Sequence, residues 1–313
     1  MTITQLEYII AVDNHRHFAK AAAECHVTQP TLSMQIQKLE DQLGIKIFDR
    51  SKQPVVPTEL GEKIITQARM VVLESRKIRE LVEEEKEEVA GELRLGVIPT
   101  LAPYLVPRFV AAFLEKYPKV RLHIEEQVTE TVLESLKHGK LDVGIIVTPA
   151  EDAAIFEKPL FYEPFQAYVS PRSALFKKEE IMPEDIALRD VWLLQEGHCL
   201  RNQVLNLCGH RGETSPLRSL IYDSGSLEAL KRLVDRQGGL TLLPQLAALD
   251  LSPEDRKKLR PIKDPHPMRE VSMVMHRSFL KRKLLDALSQ EIVDNLPPGI
   301  PRDRSGQVVL WNN

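Results

Sequence analysis

Three observations predict that this chain is an α/β protein with a small helical unit at its N-terminus. The length of 313 residues is typical of about two domains. A hydrophobic content of 43 % suits ordinary globular cores, and no apolar run approaches the roughly 18 residues that a membrane span needs. From residue 91 onward, short apolar strands, among them those predicted at 141–147, 191–194 and 217–222, alternate with helical segments. This alternation is typical of parallel strands covered by helices.

The first residues of the chain lack the features of an export signal. They have neither the basic start nor the apolar core of a signal peptide. We therefore expect a cytoplasmic protein without membrane attachment. The formal net charge of −3 gives no indication of a nucleic-acid partner, so DNA binding would have to depend on where the charges are placed.

Residues 4–56 have the pattern of a compact helical unit. An alanine-rich segment at 18–24 follows a first helix, and Thr28 is a suitable N-cap for a third helix with Pro30 in its first turn. Gly44 ends that helix, and residues 47–58 are expected to form a small two-stranded wing. The apolar residues of the third helix form one predicted buried stripe: Leu32, Ile36, Leu39 and Leu43.

Two short helices joined by a turn of this size are what a helix-turn-helix requires. The second helix of such a motif lies in a major groove, where polar side chains contact base edges and phosphates. Ser33, Gln35 and Lys38 lie off the buried stripe and are suitable for this role. The alternative is that they are solvated polar residues on a small helical bundle.

A long helix without proline follows the helical unit. Its apolar and small residues recur at alternating spacings of four and three, which is the period of a coiled-coil seam. The seam consists of Ile64, Ala68, Val71, Ser75, Ile78 and Val82. On a single helix this seam would expose apolar surface. The sequence therefore predicts a dimer formed through Ile64, Ala68, Val71, Ile78 and Val82.

Two of the three cysteines, Cys199 and Cys208, lie close together in sequence, whereas Cys25 is expected to be a small buried residue. In a reducing compartment a close thiol pair indicates a metal site or a redox device. Apolar residues at 200, 204 and 207 predict a helix between the two thiols. Nine helical residues rise roughly 13 Å, and a disulfide needs Cα atoms within about 7 Å, so oxidation would have to rearrange this helix. Inert burial and a zinc site built from His198, Cys199, Cys208 and His210 are the alternatives.

Several segments resemble the winged helix-turn-helix and regulatory domain of LysR-type transcriptional regulators. They are residues 18–22, 27–33, 35–36, 38–44, 139–145 and 238–244. The resemblance implies a winged helix-turn-helix at 1–58, a linker helix at 59–90 and a periplasmic-binding-protein-like α/β regulatory domain at 91–300. Subdomain I of that domain would comprise 91–162 and 265–300, and subdomain II 163–264. Residues 297–313 look loosely held, with a tail at 301–313. The DNA-contacting residues would be Thr28, Gln29, Pro30, Thr31, Ser33, Gln35, Lys38 and Arg50.

Within that family, residues 196–201 together with Gln203 and Cys208 are similar to the peroxide-sensing members. The similarity implies that Cys199 is the peroxidatic thiol and Cys208 the resolving one. It also implies that Thr100, Thr129, His198 and Arg269 line the peroxide pocket. A thiolate is the reactive form of such a cysteine, and His198 and Arg201 are placed to favour it if they turn toward the sulfur. Gly209 stands where the resemblance predicts a bulkier residue after the resolving cysteine.

The sequence therefore predicts a bacterial transcription activator of the oxidative stress response that senses hydrogen peroxide through a reversible Cys199–Cys208 disulfide. Its expected partners are promoter DNA, a second copy in a dimer and a homotetramer, RNA polymerase, and glutaredoxin or thioredoxin as reductant. We expect no cofactor, no metal and no enzymatic activity. The alternatives are a LysR-type regulator that binds a small-molecule effector in the α/β cleft, and a cysteine-dependent peroxidase.

Overall fold

The computed structural model describes residues 1–84, 88–208, 224–263, 266–277, 279 and 281–311. It divides the chain into two compact units, Met1–Glu87 and Glu88–Asn313. The first unit contains α1 (Ile3–His15), α2 (Phe18–Glu24), α3 (Gln29–Leu43), β1 (Phe48–Asp49), β2 (Val56–Pro57) and α4 (Glu59–Glu84).

The N-terminal unit has the predicted helix-turn-helix and wing. Thr28 is the N-cap of α3, its hydroxyl accepts the backbone N–H of Thr31, and Pro30 lies in the first turn. The wing is the antiparallel pair β1–β2. Leu32, Ile36 and Leu39 are buried as predicted, but the prediction for Leu43 is wrong, because its side chain is 40 % exposed.

Glu40 is buried in α3 at a position that the apolar stripe does not include. Its carboxylate accepts the backbone N–H groups of Ile47 (2.8 Å) and Phe48 (3.3 Å), where the chain enters the wing. These bonds compensate for the removal of a charged group from water. The Glu40 carboxylate therefore connects α3 to the wing through hydrogen bonds.

The long helix α4 confirms the predicted helix between residues 59 and 84, but its seam is partly wrong. Ala68 is 3 % exposed and belongs to the hydrophobic core of the N-terminal unit, so it is not available to a second copy. Arg69 explains this orientation, because its guanidinium donates to Asp13 on α1 at 2.7 Å. Ile64 is half-buried against the same core, whereas Val71 and Ile78 are 36 % and 68 % exposed.

The second unit is a curled mixed sheet covered by helices. Its strands are β3 (Gly91–Val97), β4 (Val120–Glu126), β5 (Val143–Thr148), β6 (Ile155–Val169), β7 (Leu240–Pro244), β8 (Leu259–Pro261), β9 (Pro267–His276) and β10 (Gln307–Val308). Its helices are α5 (Ala102–Lys116), α6 (Thr129–Lys137), α7 (Cys199–Leu207), α8 (Leu227–Gln237), α9 (Gln245–Leu249), α10 (Pro253–Arg256) and α11 (Arg282–Asp294).

The strand order is β4-β3-β5-β9-β6-β7, with β8 paired to β6 and β10 paired to β9. The pairs β3–β4 and β3–β5 are parallel, as the strand–helix alternation predicted. The strand β9 is antiparallel to both β5 and β6. Since β6 pairs with β9 along its first part and with β7 and β8 along its last part, one continuous strand connects β9 to β7 and β8.

Two further predictions are corrected. Residues 191–194 form no regular strand: Val191 makes a single bridge to Leu240, next to a turn of 3-10 helix at 188–190. The tail is not loosely held, because β10 pairs in parallel with β9 and the backbone carbonyl of Pro301 accepts the N–H of Tyr162 at 2.8 Å. The strand predicted at 217–222 lies outside the described residues.

Candidate functional site

Four of the predicted sensor residues come together in the second unit. Thr100 follows β3, Thr129 begins α6, Cys199 begins α7 and Arg269 lies on β9. All four are buried, with side chains 0 to 5 % exposed. The fold thus brings together residues that are up to 169 positions apart in sequence.

The Cys199 thiol contacts one of the two threonines directly. Its Sγ lies 2.6 Å from the hydroxyl Oγ1 of Thr129. The N-cap of α6 is Val128 and makes no side-chain capping bond, so the Thr129 hydroxyl does not act as an ordinary helix cap. It is directed at the sulfur instead.

Arg269 is held in place by a fully buried network. Its guanidinium donates to the Thr100 hydroxyl (NH1 to Oγ1, 2.9 Å) and to the Thr100 carbonyl (3.1 Å). On its other side, Nε donates to Glu163 Oε2 at 2.8 Å, and both members of this ion pair are fully buried. The second oxygen of Glu163 accepts the backbone N–H of Leu246 at 2.7 Å. A buried charge pair needs such additional bonds, because desolvation opposes it.

The electrostatics of Cys199 combine opposing effects. Burial raises the pKa of the thiol above its ordinary value. The hydrogen bond with Thr129, the charge of Arg269 and the backbone N–H of Cys199 itself act in the opposite direction and lower its pKa. The cation that favours the thiolate is therefore Arg269, which β9 supplies from a distant part of the chain.

The two residues expected to favour the thiolate do not do so in this structure. Arg201 donates to the backbone carbonyl of Leu194 at 3.0 Å. His198 is buried beside Gly225, where an added Cβ would lie 3.0 Å from Nε2. Burial lowers the pKa of His198, which favours the neutral imidazole. The condition for their predicted effect on the Cys199 pKa, that they turn toward the thiol, is not met in this structure.

Cys208 lies at the opposite end of α7 from Cys199. It is the C-cap of the helix, its thiol is half-buried, and burial raises its pKa to about 11. Both cysteines and Cys25 are free thiols. Cys208 follows Cys199 by nine positions along this helix, a rise of roughly 13 Å, so the two thiols cannot share one zinc ion at bond lengths near 2.3 Å. Gly209 and His210 lie outside the described residues.

Two absences concern only the part of the chain that the structure describes. Within it, no group of three or more His, Cys, Asp or Glu side chains could hold a metal ion. Each helix in the same part is too short or too polar to cross a membrane.

The predicted DNA-contacting residues lie at the N-cap of α3, along this helix as far as Lys38, and at Arg50 directly after β1. Gln29, Pro30 and Lys38 are exposed. Arg50 lies 4.9 Å above the Phe18 ring and donates to the Ser33 hydroxyl at 3.0 Å. The Thr28 and Thr31 hydroxyls bind each other at 2.8 Å, and the Gln5 amide donates to the Gln35 carbonyl at 3.4 Å.

The chain belongs to the LysR family of bacterial regulators. Residues 3–62 match the bacterial regulatory helix-turn-helix protein, lysR family, and residues 86–297 match the LysR substrate binding domain. Within that class it is similar to OxyR proteins. The DNA-binding transcriptional dual regulator OxyR of Escherichia coli K12 is 35 % identical over 292 residues, 93 % of this chain and 95 % of that protein. The hydrogen peroxide-inducible genes activator of Dickeya chrysanthemi is 33 % identical over 296 residues, 95 % of this chain and 96 % of that protein.

A solved structure agrees with these relatives. Full-length OxyR C199D from Pseudomonas aeruginosa matches with a TM-score of 0.79 and 36 % identity, and the match covers 94 % of this chain and 98 % of that one. The similarity therefore extends over both units. The named relatives are transcription regulators.

Sequence reasoning did not identify two acidic residues that organise these sites, Glu40 and Glu163. Glu163 interrupts an apolar pattern between Phe161 and Phe165 on β6, whereas Glu40 lies among polar residues off the apolar stripe of the third helix. An acidic residue inside an apolar element is a usable signal, because it must be paired when buried. The sequence alone did not indicate which partner each one has.

Proposed function

We propose that this protein is a DNA-binding transcription activator that senses hydrogen peroxide by reversible formation of a Cys199–Cys208 disulfide. The main support is the position of the Cys199 sulfur, 2.6 Å from the Thr129 hydroxyl, among buried residues that include Arg269, whose charge lowers the pKa of this thiol. Arg269 in turn binds Thr100. A thiol with a hydroxyl and a cation beside it has the partners that a peroxide reaction requires.

The pocket supplies each group for the first step. The Cys199 thiolate attacks one oxygen of hydrogen peroxide, the O–O bond breaks, and the leaving hydroxide takes up a proton to become water. The Thr129 and Thr100 hydroxyls can donate to and accept from the peroxide molecule, as hydroxyls do in general. The Arg269 charge stabilises the thiolate before the attack and the departing hydroxide after it.

The second step closes the disulfide. The Cys208 thiolate attacks the sulfur of the Cys199 sulfenic acid, the S–S bond forms, and hydroxide leaves as water. In balance, two thiols and one hydrogen peroxide give one disulfide and two waters. Burial raises the pKa of Cys208 to about 11 while α7 is intact. The thiol of an exposed cysteine titrates near 8.5, so opening of α7 both moves this thiol and activates it.

The output of the switch is proposed to be a change in how the DNA-binding units are arranged on promoter DNA. Exposed apolar residues on α4 are available to a second copy: Leu60, Met70, Val71 and Ile78. Without Ala68, the proposed dimer seam consists of Ile64, Val71 and Ile78, and the side chain of the predicted seam residue Val82 lies outside the described part of the chain. A homotetramer, contact with RNA polymerase, and reduction by glutaredoxin or thioredoxin in the cytoplasm complete the proposal.

The α3 face supports the DNA-binding part of the proposal. Gln29, Pro30 and Lys38 are free to enter a groove, and Arg50 fixes Ser33 by a hydrogen bond. Exposed polar side chains at the start of a recognition helix are suited to contacts with base edges.

Peptide mapping after treatment with micromolar peroxide tests the function. We expect a peptide cross-linked between Cys199 and Cys208, while Cys25 still reacts with an alkylating agent. The Cys199→Ser variant should lose the peroxide response and keep DNA binding. Full alkylation of both thiols after peroxide would refute the sensor, and repeated turnover of peroxide with a thiol reductant would identify a peroxidase instead.

A further inference from the structure

The C-terminal residues of the chain bind the helix that must rearrange when the disulfide forms. Residues 307–311, here called the C-terminal strap, begin with β10, whose Gln307 and Val308 pair with Pro267 and Met268 on β9. The backbone N–H of Val309 then donates to the Met268 carbonyl at 2.8 Å. The strap is thus fixed to β9 at Met268, the residue that directly precedes Arg269.

Three side-chain amides of α7 donate to three consecutive carbonyls of the strap. Gln203 donates to the Val309 carbonyl at 2.7 Å, Asn206 to the Leu310 carbonyl at 2.8 Å, and Asn202 to the Trp311 carbonyl at 3.0 Å. Gln203 is fully buried, and Val309 is 7 % exposed. This set of bonds connects the middle of α7 to the sheet.

The helix depends on such external contacts. It has nine residues, and isolated helices shorter than roughly 12–15 residues are marginal in water. Its buried residues lie in the first two turns, Cys199, Leu200, Gln203 and Val204, whereas the turn that leads to Cys208 is only half-buried. The strap carbonyls are therefore a substantial part of what keeps this last turn helical.

We propose that the C-terminal strap holds α7 in the reduced conformation and thereby sets how readily the Cys199–Cys208 disulfide forms. This inference rests on the proposed function. The disulfide requires α7 to bring its two ends within about 7 Å, and that movement must break the bonds from Asn202, Gln203 and Asn206. Hydrogen peroxide is the oxidant, as in the two steps above.

The strap stabilises the reduced state by a limited amount. A typical hydrogen bond contributes a factor of about five to an equilibrium. The buried Oε1 of Gln203 has no partner, which reduces the net contribution of that residue. The strap therefore shifts the redox equilibrium without preventing oxidation.

The test replaces the two accessible donors with acceptors of the same size. In the variant Asn202→Asp/Asn206→Asp, carboxylates face the strap carbonyls and the two bonds are lost. The control is Gln290→Glu on α11, which likewise exchanges an exposed amide for a carboxylate and removes a bond, to Asp294, without touching α7. Both variants and the wild type are equilibrated in glutathione redox buffers, and the fraction of Cys199–Cys208 disulfide is measured by mass spectrometry.

We expect the double variant to favour the disulfide about 25-fold over the wild type, a potential about 40 mV lower, and the control to stay within twofold. Truncation after Ser305 removes all three strap bonds and should shift the equilibrium in the same direction by at least as much. A synthetic peptide of residues 306–313 added in trans should reverse this shift. A double variant with the same disulfide equilibrium as the control would refute the proposal that the strap holds α7.

A second measurement separates this proposal from the proposed function. Hydrogen–deuterium exchange in Cys199→Ser protein, which cannot form the disulfide, should show faster exchange of the α7 amides when Asn202 and Asn206 are replaced. If the wild type forms no disulfide at all, the proposed sensor function is refuted, and the exchange measurement alone then tests whether the strap holds α7. Unchanged exchange of the α7 amides would refute the strap proposal.

Discussion

Replacing Thr129 with valine removes the hydroxyl that lies 2.6 Å from the Cys199 sulfur and keeps a side chain of nearly the same volume. Burial raises the pKa of Cys199, and the bond with Thr129 heads the contributions that lower it. The variant should therefore hold the thiol proton more tightly and react more slowly with peroxide. The neighbouring cation, Arg269, stays in place, because Thr129 is not among its partners.

The expected magnitude follows from the type of bond that is lost. A hydrogen bond to a charged group contributes about 1.5–3 kcal/mol, and each 1.4 kcal/mol corresponds to about a factor of ten. Thr129→Val should thus slow formation of the Cys199 sulfenic acid by about 10- to 100-fold. The pH at which this rate reaches half of its maximum should move upward.

The assay uses a Cys208→Ser background, in which the sulfenic acid cannot proceed to the disulfide. The product is trapped with a cyclic 1,3-diketone, and the slope of rate against peroxide concentration gives the second-order constant. The matched control is Thr241→Val, which removes another buried hydroxyl, one bound to the Trp192 carbonyl at 2.9 Å, and leaves the pocket intact. A folded Thr129→Val protein with a rate within twofold of the control would refute the assignment.

Three further outcomes are expected. Glu163→Gln leaves the buried charge of Arg269 without a counter-charge, so denaturant titration should show a loss of about 3 kcal/mol in the free energy of unfolding; a loss below about 1 kcal/mol would contradict the pairing. Val71→Lys should lower the mass measured by light scattering, whereas the control Thr66→Lys, exposed off the apolar seam, should not; an unchanged mass for both would argue against the coiled coil. Burial raises the pKa of Cys208 to about 11 in the folded state, whereas an exposed cysteine in the unfolded chain has a pKa of about 8.5. The free energy of unfolding should therefore fall as pH rises through this window. Cys208→Ser should lose that part of the pH dependence, and equal slopes for the two proteins would contradict the burial of this thiol.

The helices and strands that sequence reasoning predicted well are those that depend on neighbouring residues. Thr28 and Pro30 mark the start of α3, and the apolar run at 143–147 becomes the fully buried strand β5. Capping and hydrophobic periodicity act within one or two turns, so they can be read locally. The prediction failed for Leu43 and Ala68, because the face that a helix buries depends on what packs against it.

The candidate site likewise combines features that the sequence predicted with contacts that it did not predict. The thiol pair on either side of a predicted helix was evident from spacing, and Thr100, Thr129 and Arg269 came from the family resemblance. Glu163 was not predicted, because its partner Arg269 is 106 residues away and no local pattern connects them. The sequence likewise did not indicate that Arg201 is oriented away from the Cys199 thiol.

The sequence by itself determined the two-unit organisation, the recognition helix, the long α4 helix and the separation of Cys199 from Cys208 by one short helix. Only the tertiary structure decided which cation faces the Cys199 thiol and that the C-terminal residues bind α7. Both depend on contacts between segments about 70 to 110 residues apart, as in the bond from Gln203 to the Val309 carbonyl. Hydrophobic periodicity and caps are properties of adjacent residues, whereas such contacts exist only after the sheet has brought β9, β10 and α7 together.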